Sequence, residues 1–142
     1  MTLSDETKAI VKSTHPVVQE HGLAITTRMY EKLFTEYPDT KAFFADTTPG
    51  QEQRLANAVI AYAANIDKIE TLVPVVQGIA AKHVAAGVQA EHYPIVGEML
   101  LGAMTDVLGE LDASIVDAWA AAYGYLADIF ISTEAELYAA AS

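Results

Sequence analysis

An all-helical fold is what this sequence predicts, and three observations predict it. Two-residue apolar alternation is absent, and no Asn-Gly or Asp-Gly pair marks a hairpin. Alanine, the strongest helix former, is abundant. Glycine and proline then cut the chain into six or seven helix-length pieces. At 142 residues the chain fits one domain and can bury a core without disulfides or metals.

Ser4 is placed to cap a first helix, with Asp5 and Glu6 where the helix dipole favours negative charge. Pro16 should bend or end it. A second helix is expected from about Gly22 to Glu36, carrying Tyr30, Leu33, Phe34 and Tyr37 on one face, and Pro38 breaks it. A short segment with Phe43 and Phe44 follows, then a loop at Asp46-Thr47-Thr48-Pro49-Gly50. From about Gln51 a helix aligns Gln51, Leu55, Val59, Tyr62 and Ile66. Pro74 opens another, with Val76, Ile79, Ala80 and His83 on one stripe and Gly87 as its stop. Pro94 sits in the first turn of a helix whose face holds Val96, Leu100, Met104 and Val107 or Leu108. After Gly109 and Asp112 a long last helix reaches Tyr138 or beyond.

Composition excludes several classes of function. Hydrophobic residues at 52% and charged residues at 19% exclude disorder. Eight basic against 19 acidic residues leave a net charge of −11, which repels nucleic acid and anionic lipid. The chain has no cysteine, so disulfides, thiol nucleophiles and thiolate metal sites are all excluded; a reducing cytoplasm suits it. The start, MTLSDETKAIVK, lacks the apolar core of a signal peptide. The most apolar stretch, Ile115 to Ile131, is interrupted by Asp117 and Asp128, whereas a membrane span needs about 20 nearly uncharged residues.

Four kinds of position fit a plain core poorly. His83 lies on an apolar stripe, as a core histidine bonded to backbone or as a metal ligand. His15, His21 and His92 share no helical spacing with it, so a zinc or di-iron site is poorly supported. One imidazole in an apolar pocket suits haem, whose porphyrin supplies the four equatorial donors. Glu134 falls at the edge of the stripe formed by Trp119, Tyr123, Leu126, Phe130 and Leu137. It is either a solvated acid or a buried carboxylate able to hold the second nitrogen of a metal-bound imidazole. Tyr30 and Tyr93 head apolar faces, as packing aromatics or as hydroxyl donors. Gln51 opens the Leu55 face, where a glutamine is usually exposed.

Several blocks at compatible spacing turn these oddities into a pattern. They are Phe43-Phe44 after Pro38, Asn65-Ile66, Ala80-Ala81-Lys82-His83, and His92-Tyr93-Pro94-Ile95-Val96-Gly97-Glu98. Asp117-Ala118-Trp119, Ala122-Tyr123-Gly124, and Phe130-Ile131 through Glu134-Ala135-Glu136-Leu137-Tyr138 continue it. Over nearly its whole length the chain resembles the single-domain bacterial haemoglobins and the globin domain of flavohaemoglobins.

That resemblance implies a globin fold around haem b over residues 1–142, as a single globin domain without a reductase. It implies His83 as the proximal iron ligand, with Tyr93 and Glu134 behind it and Glu134 accepting from the imidazole N–H. Tyr30 becomes the distal donor to bound dioxygen, Gln51 a distal polar residue and Leu55 its apolar neighbour. Phe44 matches the phenylalanine that packs on the porphyrin, with Phe43 beside it as the competing residue. Gln53 competes with Gln51, but Gln51 alone stands four residues before Leu55. The Asp46–Gly50 loop is a couple of residues shorter than the family pattern. Flavohaemoglobins continue into flavin- and nicotinamide-binding domains, and no glycine-rich phosphate loop occurs here. The implied function is reversible dioxygen binding, with conversion of nitric oxide to nitrate when an external reductase supplies electrons. A gas-sensing or regulatory globin is the alternative, and a haem-free helical interaction domain would lack a Soret band. The implied partners are dioxygen, nitric oxide, other small haem ligands and the reductase, with a homodimer as an option; nucleic acid and membrane insertion are not implied.

Overall fold

Local chemistry accounts for most of the helix ends. In the computed structural model, which describes residues 3–44 and 49–141, the hydroxyl of Ser4 accepts from the Thr7 N–H at 3.1 Å and starts α1 (Asp5–Ser13). Thr14 stops it, donating its N–H to the Ile10 and Val11 carbonyls at 3.2 and 3.1 Å. The next helix begins at once. α2 runs over His15–Glu36, so it starts seven residues before the expected Gly22, and Pro16 lies in its first turn instead of ending α1. The reason is that proline's missing N–H and fixed φ are unfavourable inside a helix but suit its first turn.

A first 3-10 helix (Pro38–Phe44) follows. Of the expected loop, Asp46, Thr47 and Thr48 lie outside the described residues. Gly50, with φ 98°, leads into α3 (Gln51–Ala64). A second 3-10 helix (Ile69–Leu72) had no periodic signal to announce it and was not anticipated. It runs directly into α4 (Val73–Ala86), which has Pro74 in its first turn and stops at Gly87, where φ is 90°. α5 (His92–Leu108) and α6 (Ala113–Ala141) complete the chain, and no strand occurs among the described residues.

α2 is the hub, packing on α3 and α5, while α6 lies against α1, α4 and α5. The main core takes Val11, Val18, Ile25, Met29 and Leu33 from the first two helices, and Tyr62, Ile66, Leu100, Met104 and Trp119 from the rest. Each fully buried side chain of this size contributes roughly 1.5–3 kcal/mol. By length and composition α6 is the one described helix that could cross a bilayer, with mean hydropathy 1.2 over its best stretch. Its Trp119, Ala122, Phe130 and Glu134 are buried, on the side that meets α1, α4 and α5.

Two contacts set the placement of α5 and α6. A Cβ on Gly97 would lie 2.6 Å from the ring of Tyr123, so only glycine lets that ring approach α5 so closely. The Tyr123 hydroxyl then donates to the Tyr93 carbonyl at 2.7 Å, which fixes the start of α5. Val76 and Ala80 are the buried residues of α4. That helix rests on α6 and on the short helix before it, and it shares no extensive packing with α2 or α3.

Candidate functional site

α4, α5 and α6 bring three predicted residues into one hydrogen-bonded cluster. His83 Nδ1 lies 2.9 Å from Glu134 Oε2 and 3.0 Å from the Tyr93 hydroxyl. The Tyr93 hydroxyl donates to the same Oε2 at 2.7 Å. Glu134 is 3% exposed, so it is not a solvated surface acid. Burial, reinforced by the hydrogen bond to Glu134 and its charge, pushes the Tyr93 phenol far above its ordinary range. It therefore keeps its proton.

That proton settles the imidazole tautomer. Tyr93 has one hydrogen and gives it to Glu134, so towards His83 both oxygens are acceptors. Nδ1 must carry the hydrogen, and in a neutral ring the lone pair is then on Nε2. Among the described residues no protein group hydrogen-bonds Nε2. The ring lies at 5.5 Å from Phe130, which stacks in turn on Tyr93 at 6.1 Å, so the polar cluster has an apolar wall.

Tyr30 lies in a second cluster, built by α2 and the first 3-10 helix. Its ring sits 5.7 Å from Phe34 and 5.3 Å, edge-on, from Phe44. Phe44, not Phe43, joins this cluster; Phe43 packs edge-on against His92 at 4.7 Å. The Tyr30 residue is 8% exposed, and its hydroxyl has no hydrogen-bond partner among the described residues. Desolvation, with the charge of Glu52 adding to it, pushes this phenol up to about 12.

α3 is held beside Tyr30 by Thr26, whose hydroxyl donates to the Glu52 carbonyl at 2.7 Å. Gln51 and Leu55 on that helix are half-buried. Gln53 is exposed and donates to Asn57 at 2.9 Å, which occupies it at the surface. Two supporting residues were not singled out from sequence. Tyr123 holds the Tyr93 backbone, and Tyr138 donates to the Val88 carbonyl at 2.6 Å. Tyr138 had a signal, because it stands four residues after Glu134 on the same helix face.

Helices in this order, with α2 crossing α3 and α5 and a lone histidine on α4 gripped from α6, make a globin fold. The chain belongs to the globin family, whose pattern matches residues 27–130. A flavohemoprotein of Bacillus thuringiensis subsp. konkukian is 51% identical over 139 residues, covering 96% of this chain and 34% of the relative. The chain thus spans about a third of the length of the flavohemoproteins it matches. An engineered carbene transferase, a candidate nitric oxide dioxygenase from Rhodothermus marinus, superposes with TM-score 0.93 at 38% identity, covering 98% of each chain. A flavohemoglobin from Malassezia yamatoensis, solved with bound FAD and heme, superposes with TM-score 0.77 at 27% identity, over 98% of this chain and 38% of that one.

The donor set fits such a group. A neutral imidazole with its Nε2 lone pair unused is the donor that haem iron takes from protein. Leu55 on α3 packs against the main core and Ile79 on α4 against the Val76–Phe130 cluster, so each helix carries a half-buried apolar side chain.

Proposed function

We propose that the chain holds haem b through His83 Nε2 and binds dioxygen reversibly. With electrons from a separate reductase it converts nitric oxide to nitrate. The observation that carries this reading is the His83–Glu134–Tyr93 cluster, which consumes Nδ1 and leaves Nε2 without a partner among the described residues. When bound, haem supplies an iron that takes small ligands on one face and accepts electrons.

The chain's own residues then divide the work. Glu134 holds the Nδ1 hydrogen and makes His83 a stronger donor, which favours electron-rich iron and oxygen activation over weak carriage. Tyr93 and Tyr123 hold that carboxylate and its helix in place. Tyr30 donates its hydroxyl to the bound ligand, with no acceptor among the described residues competing for it. Leu55 and Phe44 keep that side apolar, and Gln51 adds a second polar group near it. The electrons are proposed to come from an external reductase. A cysteine-free, acidic chain suits the cytoplasm.

The test begins with colour and ends with turnover. The purified chain should show a Soret band, and His83→Ala should lose the imidazole-ligated ferrous spectrum. A supplied flavin-type reductase should then drive nitric oxide consumption with matching nitrate. An unchanged ferrous spectrum in His83→Ala would sink the ligand assignment. Tight dioxygen binding without nitrate formation would leave a carrier and remove the enzyme.

A further inference from the structure

We infer that Tyr138 is a positioning residue for His83: it clamps the turn that closes α4, so that the imidazole keeps one azimuth about the helix axis. The inference rests on the reading of His83 as the iron ligand.

α4 has few neighbours to fix its rotation. It packs on α6 and on the second 3-10 helix, and Gln77, Ala81, Lys82 and Ala85 on its other faces are exposed. Orientation of the His83 ring therefore depends on what α5 and α6 supply, and the Tyr93 hydroxyl and the Glu134 carboxylate converge on the same atom, Nδ1. Together they supply one point. A single anchored atom leaves the helix free to turn about it.

The second point is built through the backbone. α4 ends in a left-handed Gly87, whose N–H reaches the Val84 carbonyl at 3.1 Å, while the Val88 N–H reaches the His83 carbonyl at 3.0 Å. The backbone of His83 is thus tied to Val88. The Val88 carbonyl accepts the Tyr138 hydroxyl at 2.6 Å, and the Gln89 side-chain amide adds a longer contact to that hydroxyl at 3.4 Å. The Val88 side chain packs into the apolar cluster of Val76, Ala80 and Phe130, which seats the turn.

Glu134 and Tyr138 stand one turn apart on the same face of α6, roughly 6 Å along its axis. α6 therefore holds the same residue twice, by its ring nitrogen and, through Val88, by its carbonyl. Two points on a rigid helix define an azimuth where one does not.

Tyr138→Phe keeps the ring and removes only the hydroxyl. In the haem-loaded full chain the ferrous iron–histidine stretching band should broaden or shift. Haem loss to excess apomyoglobin should become about two- to tenfold faster, the equivalent of one neutral hydrogen bond. Amide exchange at Val88 should rise by a similar factor. A band and a haem-loss rate identical to wild type would overturn the positioning role, even if the variant melted at a lower temperature. Failure of the ligand reading appears separately, as a wild-type chain without an imidazole-ligated ferrous spectrum.

Discussion

The α4–α5–α6 side and the α2–α3 side of this molecule solve opposite problems. Around His83 the polar atoms that face α5 and α6 are matched: the Nδ1 hydrogen, the Tyr93 hydroxyl and Glu134 Oε2 satisfy one another within 3.0 Å. Around Tyr30 the holding is done by ring packing, and the hydroxyl has no hydrogen-bond partner among the described residues. One side orients a group by internal hydrogen bonds. The other holds a hydroxyl for which the described residues provide no acceptor. Buried polar networks are costly to break in part, whereas an unengaged hydroxyl can be deleted with little structural loss.

The sharpest way to break this contrast is Glu134→Leu. It removes the acceptor shared by the buried Tyr93 hydroxyl and the part-exposed His83 ring, which can still pair with each other, and chemical unfolding should report a loss of about 1–3 kcal/mol. A loss under about 1 kcal/mol would show that the cluster does not behave as one network. The milder Glu134→Gln keeps a neutral acceptor; the iron–histidine frequency should fall and the reduction potential rise.

Tyr30→Phe is the matching change on the other side. Unfolding of the haem-free chain should move by less than about 0.5 kcal/mol, because no hydrogen bond to the described residues is lost. Dioxygen release, timed by stopped flow, should speed up about ten- to a hundred-fold, the worth of a charge-assisted hydrogen bond. An unchanged release rate would mean that Tyr30 points elsewhere or that Gln51 acts in its stead.

Gly97→Ala tests the packing beneath the first network. Alanine normally favours a helix by about 1 kcal/mol over glycine, but here its Cβ meets Tyr123 at 2.6 Å. The net result should be about 1–3 kcal/mol of destabilisation, seen as a lower thermal midpoint. A neutral or stabilised variant would show that the Tyr123 ring moves freely.

Alkali should act more gradually. Tyr30, Tyr62, Tyr93 and Tyr123 all have their phenol pKa raised in the fold, chiefly by burial, from an ordinary value of 10.0. Above pH 10 the unfolded chain releases phenolic protons that the folded chain retains, so stability is full below that value and declines as pH rises. For Tyr30 the loss is complete near pH 12, and Tyr30→Phe should remove its share from an unfolding series across that window. The smallest effect belongs to the exposed pair on the outer surface of α2 and α5. Asp106, held below the usual carboxylate range by hydrogen bonds from Arg28 and Lys32, adds stability that fades as pH falls through its folded value. Asp106→Asn should flatten that acid limb only slightly.

What the sequence made legible follows from where each signal is stored. The helix ends at Ser4, Gly87 and Gly109, and the openings at Gln51 and Pro74, rest on local chemistry and are visible in the chain. Pro16 misled because proline punctuates helices at both ends, and only the Thr14 cap decides which end it marks here. Glu134 stood out as an acid on an apolar stripe. Its bond to His83 spans 51 residues, however, and depends on how α4 crosses α6, which periodicity does not encode. The Tyr123–Gly97 contact and the Tyr138–Val88 tie were missed for the same reason: each half looks ordinary on its own helix.

α1 closes the fold by packing on α6, so the first helix docks against the last. At that contact the indole N–H of Trp119 donates to the Thr14 hydroxyl at 2.9 Å, across 105 residues of chain. Trp119 is the chain's single tryptophan. Closing so long a loop is entropically costly and lags behind local pairings such as α2 with α3. Tryptophan emission in the haem-free chain should therefore report the joining of the chain's two ends, while far-ultraviolet ellipticity reports helix formation. The two signals should separate in time during refolding, with the tryptophan phase the later one.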